Sequence, residues 1–520
     1  MTDLAKPPSS VSTPDMVETR IGALGFRDGI PDDAACEKVF DHLDLAHGVD
    51  AYLAGLPGVS IQAIRQGFLD AGVPDNAVLM FSGLMDSASL FLTGNADTVY
   101  FLSFLDLSDG PIALQVPTGC LGTVDDMWFR WVTDFGLPGP DRGLGGTYVL
   151  LPPGYTGPLP EGGTFVAQCA TTRVCMLGRA FLEGDHPAPT VARIKETLRI
   201  HPYVPGSLGT SIGAFLEGRE PLAPVAPAAS VDPPTFVEGT GLVMNTLPPN
   251  DFSFYELLNA LVQEEPAESV DPEAGGAFRA IGIAKGETFA PDGRMRGILD
   301  EAVALGNATA RALGLRARRE EGFGYYDDSA WYNPLFVGGY DWMSPPPEIT
   351  PDGVDPYPPT SGRALNSRTA FFYIATGDTP AMCMRLPGIG SQYLMTAADS
   401  AGEPFDGARA YTLTLPPGIP AARFWSVTLY DNQTRSMLQT PQRYPWAGSQ
   451  NYPGPAATAA ADGTTTLHFA PERPDGAADS NWIQTTPGKG WFAILRLYSP
   501  EQSFFDKTWR PGEVEPAPTA

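Results

Sequence analysis

The sequence predicts a mixed, mainly β protein: two jelly-roll-like β-sandwich domains with helical segments before and between them. Three observations carry this. The 520 residues include 57 glycines and 53 prolines, about a fifth of the chain, turn chemistry that suits many short strands better than a helical bundle. Two regions echo each other in the order of their features. Outside those regions the apolar period changes from that of strands to that of helices.

Residues 1–79 hold an N-terminal tail and a helical stretch over 31–75. The first β-domain is placed at 80–182, where "TGNADTVYFLSFLDLSDGPIALQVPTG" opens with a polar turn, passes an Asp-Gly turn and ends in an apolar strand. "MTAADSAGEPFDGARAYTLTLPPG" does the same in the second half. "MWFRWVTDFG" then faces "RFWSVTLYDNQ", "GGTYVLLPPGYTGPLPEGG" faces "DGTTTLHFAPERPDGAADS", and "TTRVCMLGRAF" faces "GKGWFAILRLY". The echo pairs Asp97 with Asp399, Asp134 with Asp431 and Arg179 with Arg496. Such a recurrence predicts duplicated sandwiches with one strand order.

The connector, 183–385, reads as helices. "HPAPTVARIKETLRIHP" is one and "NDFSFYELLNALVQEEP" another, capped by Asn250 or Asp251 and stopped by Pro266. In "PDGRMRGILDEAVALGNATARALGLRARRE", Ile298, Leu299, Ala302, Val303 and Leu305 share one face. A Pro/Ala linker is expected at 222–235. The second β-domain and a C-terminal tail fill 386–520.

The net charge of −27 and a pI near 4.5 argue against nucleic acid and anionic membranes as partners. Only six of the 33 basic residues are lysine, so recognition of carboxylates or phosphates falls mostly to arginine. The five cysteines are scattered, without C-x-x-C, which points to reduced thiols in a cytoplasmic setting. No basic segment followed by an apolar run opens the chain, and no run approaches 18 apolar residues.

"GNADTVYFLSFLDLSDGPIALQVP" resembles the start of the DUF1254 domain. "RFWSVTLYDNQTRSMLQTPQRYP" and "NWIQTTPGKGWFAILRLYSPEQSFFDKTWRPGEVE" resemble the DUF1214 domain. The resemblance covers roughly 80–500 and implies a pair of jelly-roll-like domains. It implies no reaction, because neither domain carries an established one.

Candidate chemistry centres on "TVDDMWFRWVTDFGLPGPDR" (123–142). Its aromatic, β-branched run reads as a strand across "MWFRWVT", with Asp125 and Asp126 in the surface turn before it and Trp128 and Trp131 on opposite faces. Asp134 reads as the cap of the next turn. Positions shared by the two copies are read as fold, and positions that differ as function. By that test Asp141, Asp134 and Arg142 are the catalytic candidates, with Trp128, Trp131, Trp425, Gln433 and Arg435 as the binding wall. Asp141→Asn should then change stability by about 0.5 kcal/mol or less.

The five histidines lack metal-ligand spacing, so no transition metal and no cofactor is expected. An all-oxygen Ca²⁺ or Mg²⁺ site around Asp97, Asp106 and Asp109 is the remaining metal candidate; "NADT" and "DLSDG" read more simply as Asx turns. "GTSIG" around Ser211, with His468 downstream, matches a nucleophile elbow in spacing but follows no buried strand. "PGKGW" lacks phosphate-loop spacing, so Lys489 is no phosphate-loop lysine. The functional expectation is a hydrolase-like enzyme acting on a small organic substrate through carboxylate acid/base chemistry. The alternative is a non-catalytic ligand-binding or assembly protein, and a homo-oligomer is compatible with both.

Overall fold

Along the central strands it is chemistry, not exposure, that alternates with the two-residue period. The structure is a computed structural model that describes residues 8–160, 163–204, 211–218, 231–316, 318, 321–350 and 352–517. The first sandwich has eight strands: β1 (Val99–Asp106), β2 (Ile112–Val116), β3 (Cys120–Asp126), β4 (Trp131–Gly136), β5 (Gly146–Leu151), β6 (Thr164–Gln168), β7 (Arg173–Ala180) and β8 (Arg199–Pro202). The second has β9 (Ser391–Thr396), β10 (Tyr411–Leu415), β11 (Ala421–Asp431), β12 (Trp446–Gly448), β13 (Thr465–Ala470), β14 (Trp482–Gln484), β15 (Trp491–Pro500) and β16 (Val514–Pro516).

The sheets of the first sandwich run β1-β7-β3-β4 and β6-β5-β2-β8, the former extended past β1 by Val78–Met80 and Phe236–Glu238. Those of the second run β9-β15-β11-β12 and β14-β13-β10-β16. Adding eight to each strand number converts the first pair of orders into the second. Within these sheets β5 with β6 and β13 with β14 are the corresponding parallel pairs. The strand order of the two halves therefore repeats, as the echo predicts. The last strand of the first sandwich, β8, lies in what the sequence assigned to the connector.

Register fixes which residues correspond. Arg179 stands opposite Tyr100 and Leu121, and Arg496 opposite Tyr393 and Ser426. The Arg179–Arg496 correspondence holds, but the other two shift. Asp431 lies opposite Trp491 at the position where Asp126 lies opposite Val174. Asp134 lies opposite Thr123, where the second half has Trp446 opposite Thr428. Asp97 precedes β1, whereas Asp399 follows β9.

The cause is a hairpin turn inside the expected strand. β3 ends at Asp126 and β4 begins at Trp131, so "MWFRWVT" is broken at Met127–Arg130. Asp126 Oδ1 accepts from the backbone N–H of Trp128 at 2.8 Å and of Arg130 at 3.0 Å. Phe129 takes a left-handed φ of 53°. A carboxylate that closes a turn onto its own backbone outweighs the strand propensity of the aromatics. Asp125 and Asp126 are buried, not surface residues. Asp126 and Asp431 do the same work: Asp431 Oδ1 accepts from the N–H of Gln433 and Thr434.

One face of each central sheet packs into its own sandwich. Val99, Phe101 and Leu105 of β1 and Val174 and Met176 of β7 lie in the first core; Val427 and Leu429 of β11 and Trp491, Ala493 and Leu495 of β15 lie in the second. The alternate residues are not solvated. All of β15 is buried, so its second face is covered too, and that face carries Ile494, Arg496 and Tyr498.

The helices α1 (Asp33–Asp70), α2 (Pro187–Thr197), α3 (Ser253–Glu264), α4 (Pro272–Ala280) and α5 (Gly293–Leu315) fall where helical period is read or close to it, and α6 (Leu365–Ile374) adds one. Leu299, Ala302 and Val303 of α5 are buried, while Leu305 is exposed. Residues 222–230 of the expected linker lie outside the described residues. The chain forms two compact units. The smaller comprises the described residues up to Gly55 with Pro249–Gln263 and Val270–Thr309; the larger comprises Leu56–Pro248, Glu264–Ser269 and the chain from Ala310 on. In the smaller unit Tyr52 stacks on Phe254 at 4.1 Å, and Tyr255 Oη donates to Gly48 O. Both sandwiches belong to the larger.

Candidate functional site

The polar-aromatic faces of the two central sheets meet at a cavity of about 160 Å³. Period-2 strands deliver its walls in rows. The first row holds Tyr100, Arg179 and Leu121, in register across β1, β7 and β3, with Tyr393 and Arg496 from the second sandwich. The next row, two residues along, holds Leu102, Leu177, Thr123 and Asp134. Ile494 and Met395 occupy the corresponding positions opposite.

Arg179 Nη2 donates to Ser391 Oγ at 2.9 Å, and Nη1 lies 3.4 Å from Tyr393 Oη. The Ser391 and Tyr393 hydroxyls are 2.6 Å apart. Arg496 Nη2 donates to Thr93 O at 3.0 Å, while its Nε and Nη1 have no hydrogen-bond partner of good geometry. Its guanidinium lies 5.5 Å from the Tyr430 ring and 5.9 Å from that of Tyr393. Among the described residues neither arginine forms a salt bridge. The carboxylate that acts on Arg496 is Asp97, and its oxygens are engaged by Ser426 Oγ (2.8 Å), Tyr498 Oη (2.8 Å) and Trp446 Nε1 (2.5 Å).

Burial opposes the charge on both arginines, but the surrounding tyrosine hydroxyls, with Asp97 beside Arg496, hold both above the ordinary arginine value. Tyr393 is affected in return. Burial would raise its pKa, but the charges of Arg179 and Arg496 and the Ser391 hydrogen bond outweigh burial and lower it. A buried phenol that gives up its proton more readily than usual is a candidate acid/base group.

At the second row Asp134 Oδ1 accepts from Thr379 Oγ1 at 2.5 Å. Burial raises its pKa, against the Thr379, Trp131 and Thr123 side chains. Behind that row Asp125 Oδ2 accepts from the backbone N–H of Asp378 at 3.0 Å, and its Oδ1 from Thr123 Oγ1 at 3.1 Å. Burial pushes Asp125 up to about 8 and Asp378 well above its usual range. Burial favours the protonated form of both, and at about 8 Asp125 keeps its proton near neutrality. The cavity thus passes from a cationic, phenolic row to one of leucines, threonines and a carboxyl whose pKa burial raises.

Of the residues singled out from the sequence, Asp134 lines this cavity and the others do not. Asp141 closes its own loop, accepting from the N–H of Gly136 (2.6 Å) and Gly145 (3.2 Å) and from Tyr148 Oη (2.6 Å). Arg142 is exposed beside it. Trp128 sits in the hairpin turn, its indole donating to Ser269 Oγ. Trp131 is 38% exposed and meets Tyr340 edge-on. Trp425 belongs to the second core. Gln433 is exposed, and Arg435 is buried beneath the Tyr373 ring at 4.3 Å. Asp97 and Asp106 do not converge, since Asp106 faces Arg173 and the N–H of Ser108. Among the described residues no group of three or more His, Cys, Asp or Glu side chains could hold a metal ion. Ser211 begins a short helical turn, and residues 205–210 leading to it lie outside the described residues.

Arg179 and Arg496 escaped the sequence reading because both copies carry them. Their signal was present: each is a charge inside an otherwise apolar strand run, "VCMLGRAF" and "FAILRLY".

Fold and site together define a protein of two fused β-sandwiches whose facing sheets enclose an arginine- and tyrosine-walled cavity. The family described as "Protein of unknown function (DUF1254)" matches residues 76–202, and that described as "Protein of unknown function (DUF1214)" matches 390–502. The chain is a DUF1254- and DUF1214-domain protein. Two solved structures are similar over most of its length. The VPA0106 protein from Vibrio parahaemolyticus is 19% identical, with 91% of this chain and 100% of that chain covered and a TM-score of 0.48. An uncharacterized protein from Burkholderia cenocepacia is 12% identical, with 92% and 96% covered and a TM-score of 0.39. At these scores neither carries anything about chemistry. No curated protein matches the chain. Among the described residues no helix is long and apolar enough to cross a membrane.

Proposed function

We propose that the cavity binds a small organic acid, with Arg179 and Arg496 on its anionic group, and that the protein acts on it as a hydrolase-like acid/base enzyme. The observation that carries this is the pair of guanidinium groups at one cavity wall, neither of which forms a salt bridge among the described residues and of which only Arg496 has a carboxylate, Asp97, acting on it. A buried cation without a counter-ion is costly, and an anionic ligand supplies the missing charge in the bidentate geometry arginine favours. Asp134 and Tyr393 stand at the walls with pKa values shifted by burial and by charge, and are the groups placed to move a proton. Asp141 has no such part, because donors of its own loop engage its carboxylate.

Calorimetric titration of the full chain with butyrate and benzoate, against butyramide and benzamide, tests the reading. Both acids should bind, and both neutral amides should fail. Arg179→Gln should lose the acids and Arg179→Lys should keep part of the affinity, with melting temperatures reporting that each variant folds. Equal binding of acids and amides overturns the proposal. Turnover of small esters or amides that carry a separate free carboxylate, if it survives Asp134→Asn and Tyr393→Phe unchanged, would remove the acid/base part.

A further inference from the structure

The rows of the cavity specify more than an anion, a specificity that rests on the proposed anion site at Arg179 and Arg496. Arg179 and Leu121 lie opposite one another, as do Leu177 and Thr123 two residues along, and Thr123 stands opposite Asp134 on β4. Two residues of strand advance about 6.6–6.8 Å, and β4 lies two strands across the sheet from β7, about 9.5 Å away. Arg179 and Asp134 therefore mark separate ends of one space, with Leu121 and Thr123 of β3 on the strand between them and Leu177 beside Arg179 in the next row.

The far end is polar, and burial there raises the pKa of its carboxyls. Thr123, Asp134 and Thr379 line it, with Asp125 and Asp378 behind. A second carboxylate would face three acidic groups there. An ammonium would have to leave water for a wall whose one lining carboxyl, Asp134, already accepts from Thr379, at the cost of desolvating a cation. A hydroxyl or carbonyl asks only for a hydrogen-bond partner, and Asp134 Oδ2 and the Thr123 hydroxyl are at that end to provide one. At the near end two arginines face one nearby carboxylate, Asp97, which suits a single anionic group there.

Size sets the remaining limit. A cavity of about 160 Å³ compares with roughly 150 Å³ for one that holds benzene, so the ligand has about six to nine non-hydrogen atoms. We infer that the ligand is a short monocarboxylic acid with a neutral hydrogen-bonding group, a hydroxyl or carbonyl, at the end remote from its carboxylate.

The test titrates the full chain with pentanoate, 5-hydroxypentanoate, 5-aminopentanoate and glutarate. The hydroxy acid should bind about three- to tenfold more tightly than pentanoate, the worth of one hydrogen bond, and the amino acid and the diacid more weakly than pentanoate. Asp134→Ala should abolish the preference for the hydroxyl while pentanoate still binds, which also shows that the variant folds. Thr379→Val gives a second, milder form of the same test. Equal affinity for pentanoate and 5-hydroxypentanoate overturns the inference and leaves the proposed anion site standing. Preference for 5-aminopentanoate or glutarate overturns it as well. Loss of all four ligands in wild-type protein would instead refute the anion site itself.

Discussion

At the scale of single residues, burial decides what each carboxylate does. Asp125 has no surface exposure, and its folded pKa rises from the ordinary value of 3.8 to about 8. The native state therefore holds a proton that the unfolded chain releases above about pH 4. Where the native state binds more protons, stability falls as pH rises. The contribution of Asp125 is thus fully favourable below about pH 4, declines from there to about pH 8, and is flat above. Asp125→Asn, which keeps the shape and cannot ionise, should flatten that part of the slope. Chemical denaturation at intervals from pH 5 to pH 9 would check this, and parallel curves for wild type and variant would refute the assignment. Nothing in "TVDD" distinguishes a buried aspartate from an exposed one; the difference arises from the segment around Asp378, some 250 positions away, which covers it.

At the scale of elements, strand order and most helices were legible while the hairpin was not. The echo predicted two copies with one order because turn residues and apolar runs recur in sequence. It failed between Met127 and Arg130 because a strand and an aromatic turn look alike until Asp126 bonds back to the turn's N–H groups. Asp141 was misread for a similar reason: a Gly-rich loop suggests tolerance, yet this one is held by a single carboxylate. Asparagine would turn an NH₂ toward the donors of that loop. We expect Asp141→Asn to cost about 1–3 kcal/mol, well above the 0.5 kcal/mol suited to a surface loop, with ligand binding in the cavity unchanged. Thermal melts and titration of the same sample give both quantities. A variant as stable as wild type would return Asp141 to the surface class.

At the scale of the whole molecule, the two sandwiches are joined through buried polar contacts as well as apolar ones such as Phe181 against Phe424. Asp97, from the segment before β1, accepts from Ser426, Trp446 and Tyr498 on three strands of the second sandwich. Asn95 Nδ2 also donates to Tyr498 Oη at 2.6 Å. Asp97→Asn leaves one acceptor oxygen where two were used and strips Arg496 of its nearby charge. We expect a loss of roughly 3–5 kcal/mol, the range for breaking a buried ionic partnership, and a split of the larger unit's melting into two transitions. Differential scanning calorimetry reads this directly; a single transition at the wild-type temperature would mean that these polar contacts couple nothing. The sequence marked "NADT" as a turn, which it is, but the partners of its aspartate lie more than 300 residues downstream.

The register match between Tyr100–Arg179 and Tyr393–Arg496 has a consequence for a bound molecule. A carboxylate is a mirror-symmetric head with two equivalent oxygens, and this row offers it two guanidinium groups at matching register positions, one from each half of the chain. Such a head has no preferred handedness at that row. Directionality begins only one row further, where Asp134 in one half stands in the register position of Trp446 in the other. The repeat thus grips, and a departure from the repeat orients: which way the body of a ligand points is written where Asp134 in one half replaces Trp446 in the other.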